Sequence, residues 1–153
     1  MNVFFDTNAL FKLYYTEVGT SAIGNFIRRH SSNLDIIIAD ITLIEVRSAL
    51  YRRLRMSECT FGVAEQVWEA IDHDAAFMRI CETDANVQQQ AKELIHRHGL
   101  INSLRTLDSL QIASALVCNR TTPIDVVLSA DTTFLNVMRQ YLTALNPVTD
   151  VLP

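Results

Sequence analysis

Four carboxylates in this chain stand where chemistry could be done. They are Asp6 in Phe5-Asp6-Thr7-Asn8, Glu45 in Ile44-Glu45-Val46, Asp108 in Leu107-Asp108-Ser109 and Asp131 in Ala130-Asp131-Thr132. Asp6 and Asp131 each follow a short apolar run, Val3–Phe5 and Ile124–Leu128, of the kind that forms a strand buried on both faces. Parallel strands bring such ends to one edge of a sheet, where ligands gather in α/β folds. Acids crowded there repel one another unless a cation shares them. Oxygen donors suit a hard divalent ion, Mg2+ or Mn2+, which takes one or two carboxylates and keeps several waters. An ion of this kind orients a water and stabilises the transition state of phosphoryl transfer.

Each acid also has an ordinary explanation when taken alone. Asp6 and Asp131 are placed to cap the helices that follow them. Glu45 can be a solvated helix residue. Asp108 lies one turn into an otherwise apolar helix, where Arg105, three residues back, is within reach to pair with it. Only the convergence of all four sets the metal reading apart.

The elements that must position these acids alternate between strand and helix. Val3 to Asp6 reads as a strand, then Thr7 to Tyr15 as a helix. After Gly19-Thr20-Ser21, helical spacing resumes to His30 with Ile23, Phe26 and Ile27 on one side. Ile36 to Ala39 is a second β-branched run. Asp40 or Thr42 would cap a helix reaching Arg55, whose core stripe is Leu43, Val46, Leu50 and Leu54. A turn at Ser57 to Gly62 precedes a helix from Val63 to Asp74, and Phe77 to Cys81 is strand-like but ambiguous. Asp84 to His98 reads as an amphipathic helix with Val87, Ala91, Leu94 and Ile95 inward and Gly99 as its C-cap. A helix starting at Asn102 or Thr106 carries Leu107, Leu110, Ile112, Ala113, Ala115, Leu116 and Val117, and is expected to be the most buried. Beyond Pro123 come the strand Ile124–Leu128, a helix from Thr133 to Leu142 and a short strand near Leu145. The pattern is that of an α/β protein with a small, mostly parallel sheet flanked by helices.

Length and composition agree with a single domain over residues 1–153, long enough to bury about two-thirds of its unfolded surface. With 49% apolar and 20% charged residues, a disordered chain is excluded. A formal net charge of -4 argues against gripping nucleic acid through the field of the whole molecule. A local patch is still possible, since Arg47, Arg52, Arg53 and Arg55 crowd one helix; the alternative is a solvated helix face. Cys59, Cys81 and Cys118 lack zinc-site spacing and read as reduced thiols. No apolar run approaches the ~20 residues that cross a bilayer, and no basic leader is seen, so a cytoplasmic protein without membrane contact is expected.

The stretches around the four acids resemble, in order and spacing, the motifs of PIN-domain ribonucleases. Asp6-Thr7-Asn8-Ala9-Leu10 is similar to the opening motif, Thr42-Leu43-Ile44-Glu45-Val46 to the second, and Ser129-Ala130-Asp131-Thr132-Thr133-Phe134 to the fourth. Leu104-Arg105-Thr106-Leu107-Asp108-Ser109-Leu110-Gln111-Ile112-Ala113 resembles the third, and the VapC toxins within that family especially. Leu145-Asn146-Pro147 is similar to the closing segment. The resemblance implies a Rossmann-like PIN fold and a metal-dependent endoribonuclease, the toxin of a VapBC-type toxin–antitoxin pair, acting as a homodimer held in check by an antitoxin protein. It implies Asp6 and Asp108 as direct Mg2+ (or Mn2+) ligands, with Glu45 and Asp131 completing the acidic pocket. Thr7 and Ser129 would position waters or serve as local caps, and Arg105 would touch substrate phosphate or steady Asp108. The chain departs from the pattern at Gln111, to which no role is assigned, and at Thr132-Thr133, where the family commonly has basic residues.

Tyr51, Leu54, Met56 and Trp68 are candidates for a groove that takes an amphipathic partner helix, or for plain core. Two other functions compete with the nuclease. One is a non-enzymatic PIN-like scaffold binding RNA or protein. The other is a haloacid-dehalogenase-like phosphatase with Asp6 as nucleophile, which would call for an acid where Asn8 stands.

Overall fold

The computed structural model describes residues 1–153. Five strands form one entirely parallel sheet in the order β3-β2-β1-β4-β5. They are β1 (Asn2–Phe5), β2 (Asp35–Ala39), β3 (Arg79–Cys81), β4 (Val126–Leu128) and β5 (Ala144–Leu145). Seven helices connect them: α1 (Thr7–Tyr14), α2 (Thr20–His30), α3 (Asp40–Arg55), α4 (Phe61–Ala75), α5 (Ala85–His98), α6 (Thr106–Asn119) and α7 (Thr132–Met138).

The sheet has two apolar faces because side chains alternate along each strand. Phe4 is in register with Ile37 on one side and Val127 on the other, and these three pack with Val87, Leu94, Ile112 and Phe134 from α5, α6 and α7. Val3, Phe5, Ile38, Val126 and Leu128 point the other way, onto Leu10, Phe26, Val46, Leu50 and Ile71 from α1 to α4. The chain builds outward from β1 to β2 and β3, then returns to place β4 against the other side of β1. That reversal between β1 and β4 is where a crevice opens beyond the strand ends in doubly wound sheets. Asp6 follows β1 and Ser129 follows β4 at this point.

Several expectations are corrected. The helix after β2 starts at Asp40 itself, with Ala39 as its N-cap and no side-chain cap. Asp40 accepts instead from the Ile41 and Thr83 backbone N–H groups at 2.7 and 2.9 Å, tying α3 to the end of β3. Gly99 is the C-cap of α5 as expected, in right-handed conformation, with its N–H donating to the Ile95 carbonyl. Ile95 is exposed, and the buried residue of that turn is His98, bridging Asn102 and Tyr141 at 3.0 and 2.9 Å. α7 ends at Met138, four residues early, in a turn that sets up β5. Leu107 is 51% exposed although α6 is otherwise the buried helix expected. Trp68 is half-buried between Tyr51 and Phe61, with ring centroids 5.0 and 6.2 Å away; it packs on the core and, with Tyr51, lines a surface cleft of about 360 Å³. No helix is long and apolar enough to cross a membrane.

Phe134 joins packing to the site, since its ring is fully buried under the sheet while its backbone N–H is capped by Asp131. Phe134→Ala is expected to cost about 3–5 kcal/mol, the usual range for truncating a buried Phe. Urea denaturation checks this; a loss below about 1 kcal/mol would show that α7 does not seat on the core as described.

Candidate active site

Asp6 leaves β1 in extended conformation and caps α1, accepting from the Thr7 backbone N–H at 2.7 Å. Its other oxygen accepts from Ser129 Oγ at 2.7 Å and from Asn8 Nδ2 at 2.6 Å. Asn8 also accepts from the Ala130 backbone N–H at 2.5 Å, so the loops after β1 and β4 are stitched together by its amide. Ser129 is fully buried and in turn accepts from the Asp131 backbone N–H at 3.0 Å. Asp131 caps α7 through the Phe134 N–H at 2.9 Å, which commits one carboxylate oxygen. The capping readings of Asp6 and Asp131 therefore hold, and both acids also face the crevice.

Glu45 is not a solvated helix residue. It is half-buried, and its Oε2 accepts from Thr7 Oγ1 at 2.5 Å and Gln111 Nε2 at 2.6 Å, while Oε1 has no protein partner. Gln111, given no role from the sequence, is almost fully buried and central. Its amide nitrogen lies 2.9 Å from both Thr7 Oγ1 and Thr42 Oγ1 and 2.6 Å from Glu45. A carboxylate accepts only, so the amide must present its N–H groups there. Gln111 thus joins α1, α3 and α6 beneath the acids. The hydroxyls of Thr7 and Ser129 donate to carboxylates, and that of Ser129 is also a local cap for the Asp131 N–H.

The acids converge closely enough to shift one another. Burial is the main cause that pushes Asp6 up to about 7; the hydrogen bonds from Ser129 and Thr7 oppose it, and Glu45 and Asp108 add to the rise. Asp108 is also pushed up, by partial burial first, then by Asp131 and Glu45, with the Arg105 backbone and charge opposing. No ion pair forms between Asp108 and Arg105, whose exposed side chain makes no polar contact, so the pairing reading of Asp108 is corrected.

No three His, Cys, Asp or Glu side chains stand close enough to enclose an ion. A hard cation that keeps most of its waters needs only one or two carboxylates from the protein. The donor set here is wholly oxygen, and a cation beside Asp6 and Asp108 would offset the repulsion and desolvation that raise both. Asn8 stands where a phosphatase of the Asp-x-Asp type would need an acid, and its amide donates to Asp6, which an ionised carboxylate cannot do.

A family model described as the PIN domain matches residues 3–139. No curated protein matches the chain at a significant level. Among solved structures, VapBC2 from Rickettsia felis, bound to a DNA fragment from its promoter, aligns with TM-score 0.64 and 19% identity over 95% of this chain and 98% of that one. VapBC-1 from nontypeable Haemophilus influenzae aligns with TM-score 0.65 and 14% identity over 97% and 100%. VapC20 from Mycobacterium tuberculosis, a sarcin-ricin loop cleaving toxin, aligns with TM-score 0.60 and 20% identity over 88% and 93%.

Two outcomes follow from this geometry. Asp6 holds its proton to about pH 7 when folded but only to about pH 4 when unfolded. The folded state therefore binds the extra proton between those limits, and stability falls as pH rises through that window. Metal-free protein should lose stability relative to Asp6→Asn between about pH 4 and pH 7, by up to about 4 kcal/mol for a shift of this size. Parallel stability–pH curves for the two proteins, from urea titrations, would contradict it. Gln111→Leu keeps the volume but removes the N–H groups that Thr42 and Glu45 accept, leaving Glu45 with Thr7 alone, at a cost of about 1–3 kcal/mol. Gln111→Glu should destabilise further by facing Glu45 with like charge; a thermal melt unchanged by either substitution would remove Gln111 from the site.

Proposed function

We propose that this chain, which belongs to the PIN-domain family, is a divalent-metal-dependent endoribonuclease and the toxin of a VapBC-type pair. The observation that carries the nuclease reading is the buried Asp6 carboxylate at the sheet's reversal point, with Glu45 and Asp108 close enough to raise it further. A fold has no structural use for three acids placed to repel one another unless a cation is to share them. The toxin reading is supported by the likeness to VapBC complexes and to a toxin named for cleaving the sarcin-ricin loop. An antitoxin protein as partner, a homodimeric state and a cytoplasmic location belong to the same proposal.

Asp6 and Asp108 are the residues that would hold the cation, Mg2+ or Mn2+. When bound, it would polarise the scissile phosphate and offset charge developing on the non-bridging and leaving oxygens. Ser129, Asn8 and the Thr7 N–H fix the orientation of Asp6, so its free lone pairs are aimed before substrate arrives. Glu45 is held by Thr7 and Gln111 through one oxygen, which leaves Oε1 to take the proton from an attacking water. The water oxygen forms the new bond to phosphorus as the bond to the leaving ribose oxygen breaks in line, and that oxygen is reprotonated from solvent. Asp131, with one oxygen committed to the α7 cap, orients waters with the other.

The test is cleavage of a cellular RNA pool by purified protein with Mg2+ or Mn2+, with EDTA, and by Asp6→Asn and Asp108→Asn. Cleavage should require the metal and both acids, falling at least about 100-fold in either variant, while the variants fold as well as or better than the parent. A folded Asp6→Asn protein that cuts RNA at the parent rate would refute the assignment. Metal-independent RNA binding without cleavage would favour the scaffold reading.

A further inference from the structure

The four arginines of α3 do different work, and the structure separates them. Arg47 pairs with Asp72 on α4. Arg53 pairs with Glu17 and Glu58 at 2.7 and 3.1 Å and lies over the rings of Phe11 and Tyr15, 5.2 and 4.6 Å from their centroids. Both are consumed in holding α3 to α1, α4 and the loops beside them. Arg52 and Arg55 have no acidic or hydrogen-bonding partner for their side chains and are exposed. Both line a cleft of about 470 Å³ that also contains Thr7 and Glu45, with Ile44 and Leu107 on its walls.

Glu45, Arg52 and Arg55 lie at spacings of seven and three residues, on one face of the helix. At 1.5 Å per residue, Arg52 is about 10 Å and Arg55 about 15 Å along the axis from Glu45. The cleft therefore starts among the acids and runs outward to two uncommitted guanidinium groups. Ile44 and Leu107 are 70% and 51% exposed, an unusual setting for two large aliphatic side chains beside an acidic pocket. They would gain burial from a sugar or splayed base laid against them.

We infer that this cleft seats the single-stranded RNA flanking the cut, with Arg52 and Arg55 binding backbone phosphates and Ile44 and Leu107 packing on a nucleoside. The inference rests on the nuclease reading above and adds where the strand leaves the site. Regular charge spacing favours RNA over an acidic protein segment here: a strand carries a phosphate at every nucleotide, enough to meet both guanidinium groups and still reach the acids at the inner end. A cation held by those acids would take phosphate oxygens as further ligands, so a strand with phosphates at both ends of the cleft meets the whole charge pattern. With a net charge of -4, the molecule lacks a general field to hold RNA, so discrete guanidinium contacts must supply the grip.

The experiment compares Arg52→Ala, Arg55→Ala and the double variant, with Arg47→Ala as control and thermal melts to confirm folding. Binding of a random-sequence single-stranded RNA is followed by anisotropy across a salt series, in an Asp108→Asn parent so that the RNA survives. In parallel, the same substitutions in the otherwise unaltered chain are assayed for cleavage of a cellular RNA pool at low RNA concentration. The double variant should bind about tenfold or more weakly, with a log K against log salt slope shallower by about 1.4, or 0.7 for each lost phosphate contact. Cleavage should fall by a similar factor, and Arg47→Ala should change little. Unchanged affinity, slope and cleavage in the double variant, while the unaltered chain cleaves, would overturn this inference alone, including the case where the variant instead loses an acidic protein partner. Neither binding nor cleavage by any form would overturn the nuclease reading, and this inference with it.

Discussion

A buried carboxylate at the reversal point of a parallel sheet is the constraint on which the rest of the arrangement depends. Asp6 is nearly inaccessible, and burial alone would push it to its neutral form. Three hydrogen bonds, from the Thr7 N–H, Asn8 and Ser129, offset part of that cost and fix the direction of the carboxylate. They also explain why the loops after β1 and β4 cannot move independently: Asn8 and Ser129 each touch both. Glu45 and Asp108 then work against these bonds by raising Asp6 further. The site is thus rigid in position and unfavourable in charge, which is the condition under which a cation gains most by binding.

A second layer of polar residues lies beneath the acids and is as specific as the first. Gln111 on α6 reaches Thr7, Thr42 and Glu45, which come from α1 and α3. Because it is buried, leaving any of these groups unpaired would be costly, so the network locks the three helices at one spacing. The same division of labour appears on the outer side of α3. Arg53 is fixed by two acids and two aromatic rings, whereas Arg52 and Arg55 are left uncommitted beside Glu45. One helix therefore supplies core contacts from one face and, from another, a carboxylate with a basic edge beyond it.

The sequence exposes the parts whose physics is local. β1, β2 and β4 are apolar runs because both of their faces are covered, and α3, α5 and α6 carry helical spacing. β3 is ambiguous in the sequence because an edge strand of three residues, largely exposed, needs only backbone pairing with β2 and leaves little trace in its side chains. β5 pairs over two residues only. Asp6 and Asp131 could be placed at strand ends in advance, but their environment could not. The bond from Ser129 to Asp6 spans 123 residues and that from Gln111 to Thr7 spans 104. No local pattern announces such contacts, so Gln111 and Asn8 gained their roles only from the fold. Leu107 is the opposite case: its apolar side chain reads as core in the sequence, whereas helical periodicity turns that position outward.

The claim that the acids exist to hold a cation is tested most directly by titrating folded, metal-free protein with Mn2+ and following the free ion by electron paramagnetic resonance. Saturable binding at neutral pH is expected, competed by Mg2+, abolished in Asp6→Asn and strongly weakened in Asp108→Asn, with Arg47→Ala unaffected. Folded protein that takes up no Mn2+, or an Asp6→Asn variant that binds as the parent does, would contradict it.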